Sequence, residues 1–411
     1  MYKLKASDAT PKKTFFWNMT GSVSNAANTL LMTIVITRFC GAATAGLYAL
    51  ALAIAEMIGP ITTFQMRNYQ ASDVNANYSF KEYFVTRICT TISALLIVLI
   101  WIIFHNYSLD KAIIILLCTT FKIIEAFEDV LGGHLQLNNH LDIAGKIFSF
   151  RVIIDTILFT LILYFTSNLY LSYTLYILFA ILWTFFITYP YANTYLEHSN
   201  FNLKQVLLLI KDCLPLCITQ FLIAYIMSSP KYALDKYYAA NYQTYFAAIF
   251  MPASVVNLFT SIVYRIYITN MAIQWNNRQK KSFNVKILQI IGIIFIIGAI
   301  SIVGGWILGI PVLSWFYSLP ELKSYKMELL IILLGGTFSA ITSWLSTIFT
   351  IIRKQNIMLY INVFTFILSL IFINPLVKSF GIMGAALSYM ILMMAVGTIQ
   401  LVTYFILERK Y

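Results

Sequence analysis

Hydrophobic residues in this chain run in long unbroken stretches, and charged residues gather in the gaps between them. Phe15 to Thr37 carries no charge, and Leu47 to Met66 carries only Glu56. About twenty apolar residues cross the hydrocarbon core of a bilayer, so each stretch predicts a membrane-spanning helix. The same pattern predicts spans at Ile88–Leu109, Ala112–Leu131, Ile147–Phe165 and Leu169–Tyr189. It continues through Cys213–Ser229, Tyr242–Tyr264, Ile287–Ile310, Leu329–Ile352, Ile357–Val377 and Ile382–Leu407, about twelve in all. The segments between, GGHLQLNNHLDIAGK among them, read as loops. Strands of a membrane barrel would alternate apolar and polar residues; these stretches do not.

The first hairpin recurs at a constant offset of 198 residues. Arg38 matches Lys236, Tyr48 matches Phe246, Ala49 matches Ala247, Arg67 matches Arg265 and Tyr69 matches Tyr267. Such repeats mark related halves in membrane transporters. The chain therefore reads as two six-helix lobes, residues 1–196 and 197–411, joined by a linker at about 197–211.

Composition sharpens the class. Hydrophobic residues make up 60% and charged residues 11%, against about 25% charged in a soluble domain. Mean hydropathy is +0.78. A net charge of +12 would suggest nucleic acid in a soluble protein, but here Lys and Arg cluster at helix ends. Counted by side, about twenty fall on the face of both termini and about seven on the other. The positive-inside rule then places both termini in the cytoplasm. The five cysteines have no disulfide or metal spacing and read as packing residues. The four histidines lie in predicted loops or at a predicted span end, without metal spacing, and no phosphate-binding glycine loop or nucleophile motif occurs. We expect no enzyme, no catalytic residue, no metal and no cofactor, with H+ or Na+ as a coupling ion at most.

Candidate chemistry sits in the first half. The predicted spans of the second half are free of charge, whereas the first holds Glu56, Lys122, Glu125, Glu128, Asp129, Arg151 and Asp155. A charge at mid-bilayer costs from about 2.5 kcal/mol upward, so it must pair or meet water. Lys122, Glu125 and Asp129 share one helix face, as do Arg151 and Asp155. Lys122 and Asp155 are expected roughly 13 Å from the cytoplasmic helix ends. Two readings stay open: neutralising pairs, or a wet cavity with cations for an anionic substrate and carboxylates for ion coupling. Candidate substrate ligands are Lys122, Arg151, Arg38, Arg67, Asn25 and Asn28. Candidate coupling residues are Glu56, Asp155, Glu125 and Asp129. Arg38 and Arg67 also suit simple interface anchors. Asn18, Asn25 and Asn28 form a polar stripe that equally suits glue between helices.

Three stretches carry a family likeness: TRFCGAATAGLYALALAI with QMRNYQASD, EAFEDVLGGHLQLNNHLDIAGK, and FGIMGAALSYMI. With them the chain resembles the Wzx-type polysaccharide transport flippases of the multidrug/oligosaccharidyl-lipid/polysaccharide exporter superfamily. The resemblance implies an all-α polytopic protein whose two pseudo-symmetric lobes form a V-shaped cavity with alternating access. It implies a substrate, undecaprenyl-pyrophosphate-linked oligosaccharide repeat units, moved across the bacterial cytoplasmic membrane for capsule, O-antigen or other surface polysaccharide. Lys122, Arg151, Arg38 and Arg67 would hold the pyrophosphate and sugars. Membrane lipids, a polymerase and other polysaccharide assembly proteins would be its partners, and nucleic acid would not. The alternatives are a cation-coupled drug exporter of the same superfamily and a non-transporting subunit of an assembly complex.

Overall fold

The computed structural model describes residues 11–67, 70, 78–138, 140–194, 201–265, 267, 271, 274–275, 277–352 and 354–408. Lys3, Lys5, Tyr69, Glu197, His198, Arg353, Arg409 and Lys410, which entered the sequence reading, lie outside them. The described residues form helices α1 (Pro11–Thr63), α2 (Phe80–Phe104), α3 (Leu109–Leu137), α4 (Leu141–Thr166) and α5 (Leu169–Trp183). A π turn, Thr184–Thr188, joins α5 to α6 (Tyr189–Asn193). There follow α7 (Leu203–Tyr237), α8 (Ala240–Arg265), α9 (Lys280–Gly304), α10 (Ile310–Tyr317), α11 (Lys326–Ile351) and α12 (Gln355–Glu408). A second π turn, Gly305–Gly309, links α9 to α10.

Both α1 and α12 are two spans in one. Gly41 breaks α1 at φ +82°, and Gly381 breaks α12 at φ +58°. That left-handed region favours glycine, which carries no Cβ. With the two halves of α1 and of α12 counted separately, and α5–α6 and α9–α10 taken as one each, twelve helical segments of membrane-spanning length stand among the described residues. The protein is a multi-pass, all-α membrane protein. The sequence repeat survives in the backbone, because Gly41 aligns with Ala239, where α7 gives way to α8.

The chain divides into two compact units, Met1–Ala224 and Tyr225–Tyr411. The first part of α7 belongs to the first unit, where Leu209, Cys213 and Cys217 pack on Phe64, Met66, Tyr83 and Val130. Within this unit α2 shows why it faces lipid. Thr86, Arg87, Thr90 and Thr91 are buried, while Ile92, Leu96, Ile100 and Ile103 are exposed at helical spacing. The polar stripe points inward and the apolar stripe outward, the reverse of a soluble helix. Helices α1 and α4 cross closely at small residues. A Cβ on Gly145 would lie 3.1 Å from the Asn18 nitrogen, and one on Gly21 would lie 2.9 Å from the Phe148 ring.

Several boundaries differ from the sequence reading because a helix runs on through polar residues; α7 starts at Leu203, so most of the expected linker 197–211 is helix, and α9 starts at Lys280. Helix α3 continues past Leu131 through Gly132 and Gly133 to Leu137. Each glycine costs a helix about 1 kcal/mol, but here it admits a neighbour: a Cβ on Gly133 would collide with the Gln70 side chain. Helix α4 starts at Leu141, inside the expected loop. Helix α2 starts at Phe80, where the Glu82 carboxylate accepts the Ser79 N–H at 2.7 Å. The longer helices put Lys122 and Asp155 about 20 Å from those ends, deeper than expected.

The second unit is held by bulk against glycine. Its core joins Phe283, Ile287, Ile290 and Ile294 of α9 to Ala340, Trp344, Leu345 and Ile348 of α11 and to Tyr404 of α12. Gly335 lies against the Tyr389 ring, and Gly336 lies against Ala253.

Candidate functional site

The ionic residues of α3 and α4 meet in two clusters inside the first unit, one around Arg151 and one around Asp129. Arg151 of α4 is the hub of the first, with a side chain 1% exposed. Its Nε lies 2.7 Å from Glu128, its Nη1 3.1 Å from Asp155 and its Nη2 3.8 Å from Glu125. The guanidinium lies 5.4 Å from the Phe121 and Phe148 ring centres. Lys122 pairs with Glu125 at 2.8 Å. Asp129 accepts from Arg87 of α2 at 3.0 Å and from Arg67, just past the end of α1, at 3.3 Å. Arg87 also donates to the Thr62 carbonyl at 2.7 Å, which ties α2 to the end of α1. Four cations (Arg67, Arg87, Lys122, Arg151) thus face four carboxylates (Glu125, Glu128, Asp129, Asp155). An unpaired buried charge would cost several kcal/mol, and the pairing offsets part of that cost.

Beside these clusters lies a cavity of about 310 Å³, at the end of the unit where α1 starts, α3 ends and α4 starts. Arg67, Glu125, Glu128 and Asp129 line it, with Asn18, Ser22, Thr63 and Thr188 and the Phe148 ring. The π turn forms part of its wall. Pro190 has no N–H, and the Tyr189 N–H donates five residues back to the Thr184 carbonyl, widening the helix there. Thr184 Oγ1 comes within 3.0 Å of Glu128. The Thr188 hydroxyl is buried and has no hydrogen-bond partner among the described residues.

The predicted site residues separate into three groups. Arg67, Glu125 and Asp129 reach the cavity. Arg151 and Asp155 are fully buried, and the Phe148 ring, itself a cavity wall, packs over Arg151. Lys122 sits further along α3 and engages Glu125. Asn28 is buried and bridges three helices: it donates to the Tyr176 hydroxyl at 3.1 Å and accepts from Thr156 at 2.9 Å. Asn25 is half-buried, and its carbonyl accepts from the Thr29 hydroxyl. Glu56 is exposed on an otherwise buried stretch of α1, and its charge acts on Lys122. Arg38 is exposed near the Gly41 break.

Sequence reasoning misses Arg87, Thr184 and Thr188. Arg87 counts there as a loop charge; the Ser79–Glu82 spacing, a helix-start signature, would have put it two turns inside α2. Pro190 is the available signal for the π turn.

No protein-family model matches the chain. A curated relative, the capsular polysaccharide biosynthesis protein CapF of Staphylococcus aureus, is 23% identical over 381 residues, covering 92% of this chain and 94% of that protein. Three solved structures agree in fold at 14% identity. MATE in complex with MaL6 gives a TM-score of 0.62, with 94% of this chain and 93% of that one covered. A point mutant of the Vibrio cholerae MATE transporter VcmN gives 0.62 with 97% of each chain covered. A MOP superfamily transporter from Pyrococcus furiosus gives 0.61, with 95% and 93% covered. The resemblance to the exporter superfamily is borne out at the level of the fold, which this chain shares with the MATE and MOP superfamily transporter structures.

Proposed function

We propose that this protein moves lipid-linked oligosaccharide repeat units from the inner to the outer leaflet of a bacterial cytoplasmic membrane, by alternating access, for surface polysaccharide assembly. The observation that carries the reading is the similarity to CapF over 92% of the chain, since that relative is named for capsular polysaccharide biosynthesis. A sugar-pyrophosphate head cannot cross about 30 Å of hydrocarbon unaided. The first lobe supplies a polar hollow inside an otherwise lipid-facing body. With the termini in the cytoplasm, that hollow opens at the cytoplasmic end, where such a head group is made. Arg67 is the cation best placed there to meet the substrate, since its side chain is 38% exposed. Membrane potential favours the outward step: two negative charges crossing the whole field gain about 4.6 kcal/mol per 100 mV.

The MATE neighbours favour a second reading, a cation-coupled exporter of small molecules. One experiment separates the two. The gene is deleted and lipid-linked repeat units are assayed by leaflet. Inner-leaflet accumulation with loss of surface polymer supports the flippase. Normal polymer with raised sensitivity to cationic drugs supports the exporter.

A further inference from the structure

We infer that the first-lobe cavity is a sugar-binding subsite that accepts a neutral or amine-bearing sugar and rejects an acidic one. The inference rests on the transport reading above and deepens it by naming which part of the substrate this hollow takes.

Glu125, Glu128 and Asp129 each commit oxygens to cations, chiefly Lys122, Arg151, Arg87 and Arg67. Of those cations only Arg67 itself lines the cavity. A carboxylate has about four acceptor sites, so each retains lone pairs for a further donor. The wall is therefore rich in acceptors and poor in cations, which suits hydroxyl and ammonium donors and opposes a carboxylate ligand. Asn18, Ser22 and Thr63 add short polar groups, and Phe148 adds a ring face against which the C–H side of a pyranose can lie.

The Thr188 hydroxyl makes the independent case for a ligand. It lines this cavity, is only 5% exposed and has no hydrogen-bond partner among the described residues. A buried hydroxyl left unpaired costs free energy, and a ligand in the cavity would relieve it. The volume of about 310 Å³ sits at the small end of the range for ligand sites, about 300 to 1,000 Å³. It is room for a single sugar ring with water rather than a whole repeat unit.

The test uses the purified full chain in nanodiscs and saturation-transfer NMR with three probes: N-acetylglucosamine, glucosamine and glucuronic acid. We expect transfer to the first two and at least tenfold weaker binding of glucuronic acid. Ser22→Trp, which fills the cavity, should abolish the signal. Thr188→Val, which keeps the volume and removes the hydroxyl, should weaken it roughly three- to tenfold. Both variants are checked for an unchanged thermal transition, so that a lost signal reports the cavity and not unfolding. Glucuronic acid bound as well as the others, no probe bound at all, or signals indifferent to both substitutions would overturn the proposal. Failure here with inner-leaflet accumulation in the deletion strain sinks the sugar subsite and leaves the flippase standing. Probe binding without a leaflet defect does the opposite.

Discussion

Arg87, Arg151 and Asp155 are fully buried in the first lobe, whereas the buried polar side chains described in the second, Gln243, Asn362 and Gln400 among them, are all uncharged. The two lobes start from one repeated hairpin and solve the same problem, a helix bundle in lipid, by different means. The second packs aromatic rings against glycine and carries buried amides instead of buried charges. The first spends stability on ionic clusters beside a cavity. Since buried ion pairs seldom improve on apolar packing, their presence in the first lobe, against no buried charge among the described residues of the second, points to function there.

The largest expected effect comes from breaking the hub. Arg151→Leu strands Glu125, Glu128 and Asp155, and we expect a loss of about 3–5 kcal/mol. The checks are thermal unfolding in detergent and the amount of protein in the membrane. An Arg151 variant that keeps its level and loses only transport would return Arg151 to the role of substrate ligand. Next come the glycines. Gly335→Ala drives a methyl to 2.7 Å from the Tyr389 ring, an overpacking cost of about 1–3 kcal/mol. In the first lobe Gly132→Ala meets Arg67 at an ordinary 3.8 Å. It should be neutral or stabilising by up to about 1 kcal/mol. Equal melting shifts in the two variants would remove the contrast in packing.

Spans, class and the asymmetry of charge were legible in the sequence because lipid demands apolar runs and punishes stray ions. Helix ends were not, since Glu82, Arg87 and Gly132 look like loop residues until a neighbouring helix supplies their partners. The charged set of α3 and α4 was legible as a set. Its division into cavity wall and buried hub was not, because that depends on which helix face Phe148 covers. Asn28 illustrates the same limit: a polar stripe on α1 has one sequence signature, whether it meets a ligand or, as here, Tyr176 and Thr156.

The transport side of the comparison turns on Arg67. It pairs with one carboxylate at 3.3 Å and is 38% exposed, so Arg67→Gln should cost under about 1 kcal/mol of stability. We expect surface polysaccharide to fall about five- to tenfold at unchanged protein level, measured as cell-bound polymer per cell. Arg265 holds the matching place in the sequence repeat, and Arg265→Gln is the informative partner experiment. A smaller loss there supports a division of labour between the lobes. An equal loss means that both copies of the hairpin grip the substrate.

The smallest effect is expected at Gln400, and it tests the second lobe most severely. Gln400 is fully buried, and its amide nitrogen lies 3.4 Å from the Ser346 hydroxyl and 3.5 Å from the Met358 sulfur. Its Oε1 has no hydrogen-bond partner among the described residues. Replacing a half-satisfied polar group with an apolar one of similar shape is close to neutral. The hydrogen bonds it surrenders inside a membrane are themselves worth only about 0.6 kcal/mol each on average. Gln400→Met should therefore leave the melting temperature unchanged or slightly raised and polymer output intact. If Gln400→Met instead stops transport while the protein stays folded, the unpaired amide oxygen is there for a ligand. The second lobe would then carry chemistry without charge, and the contrast between the lobes would be one of ligand type instead of task.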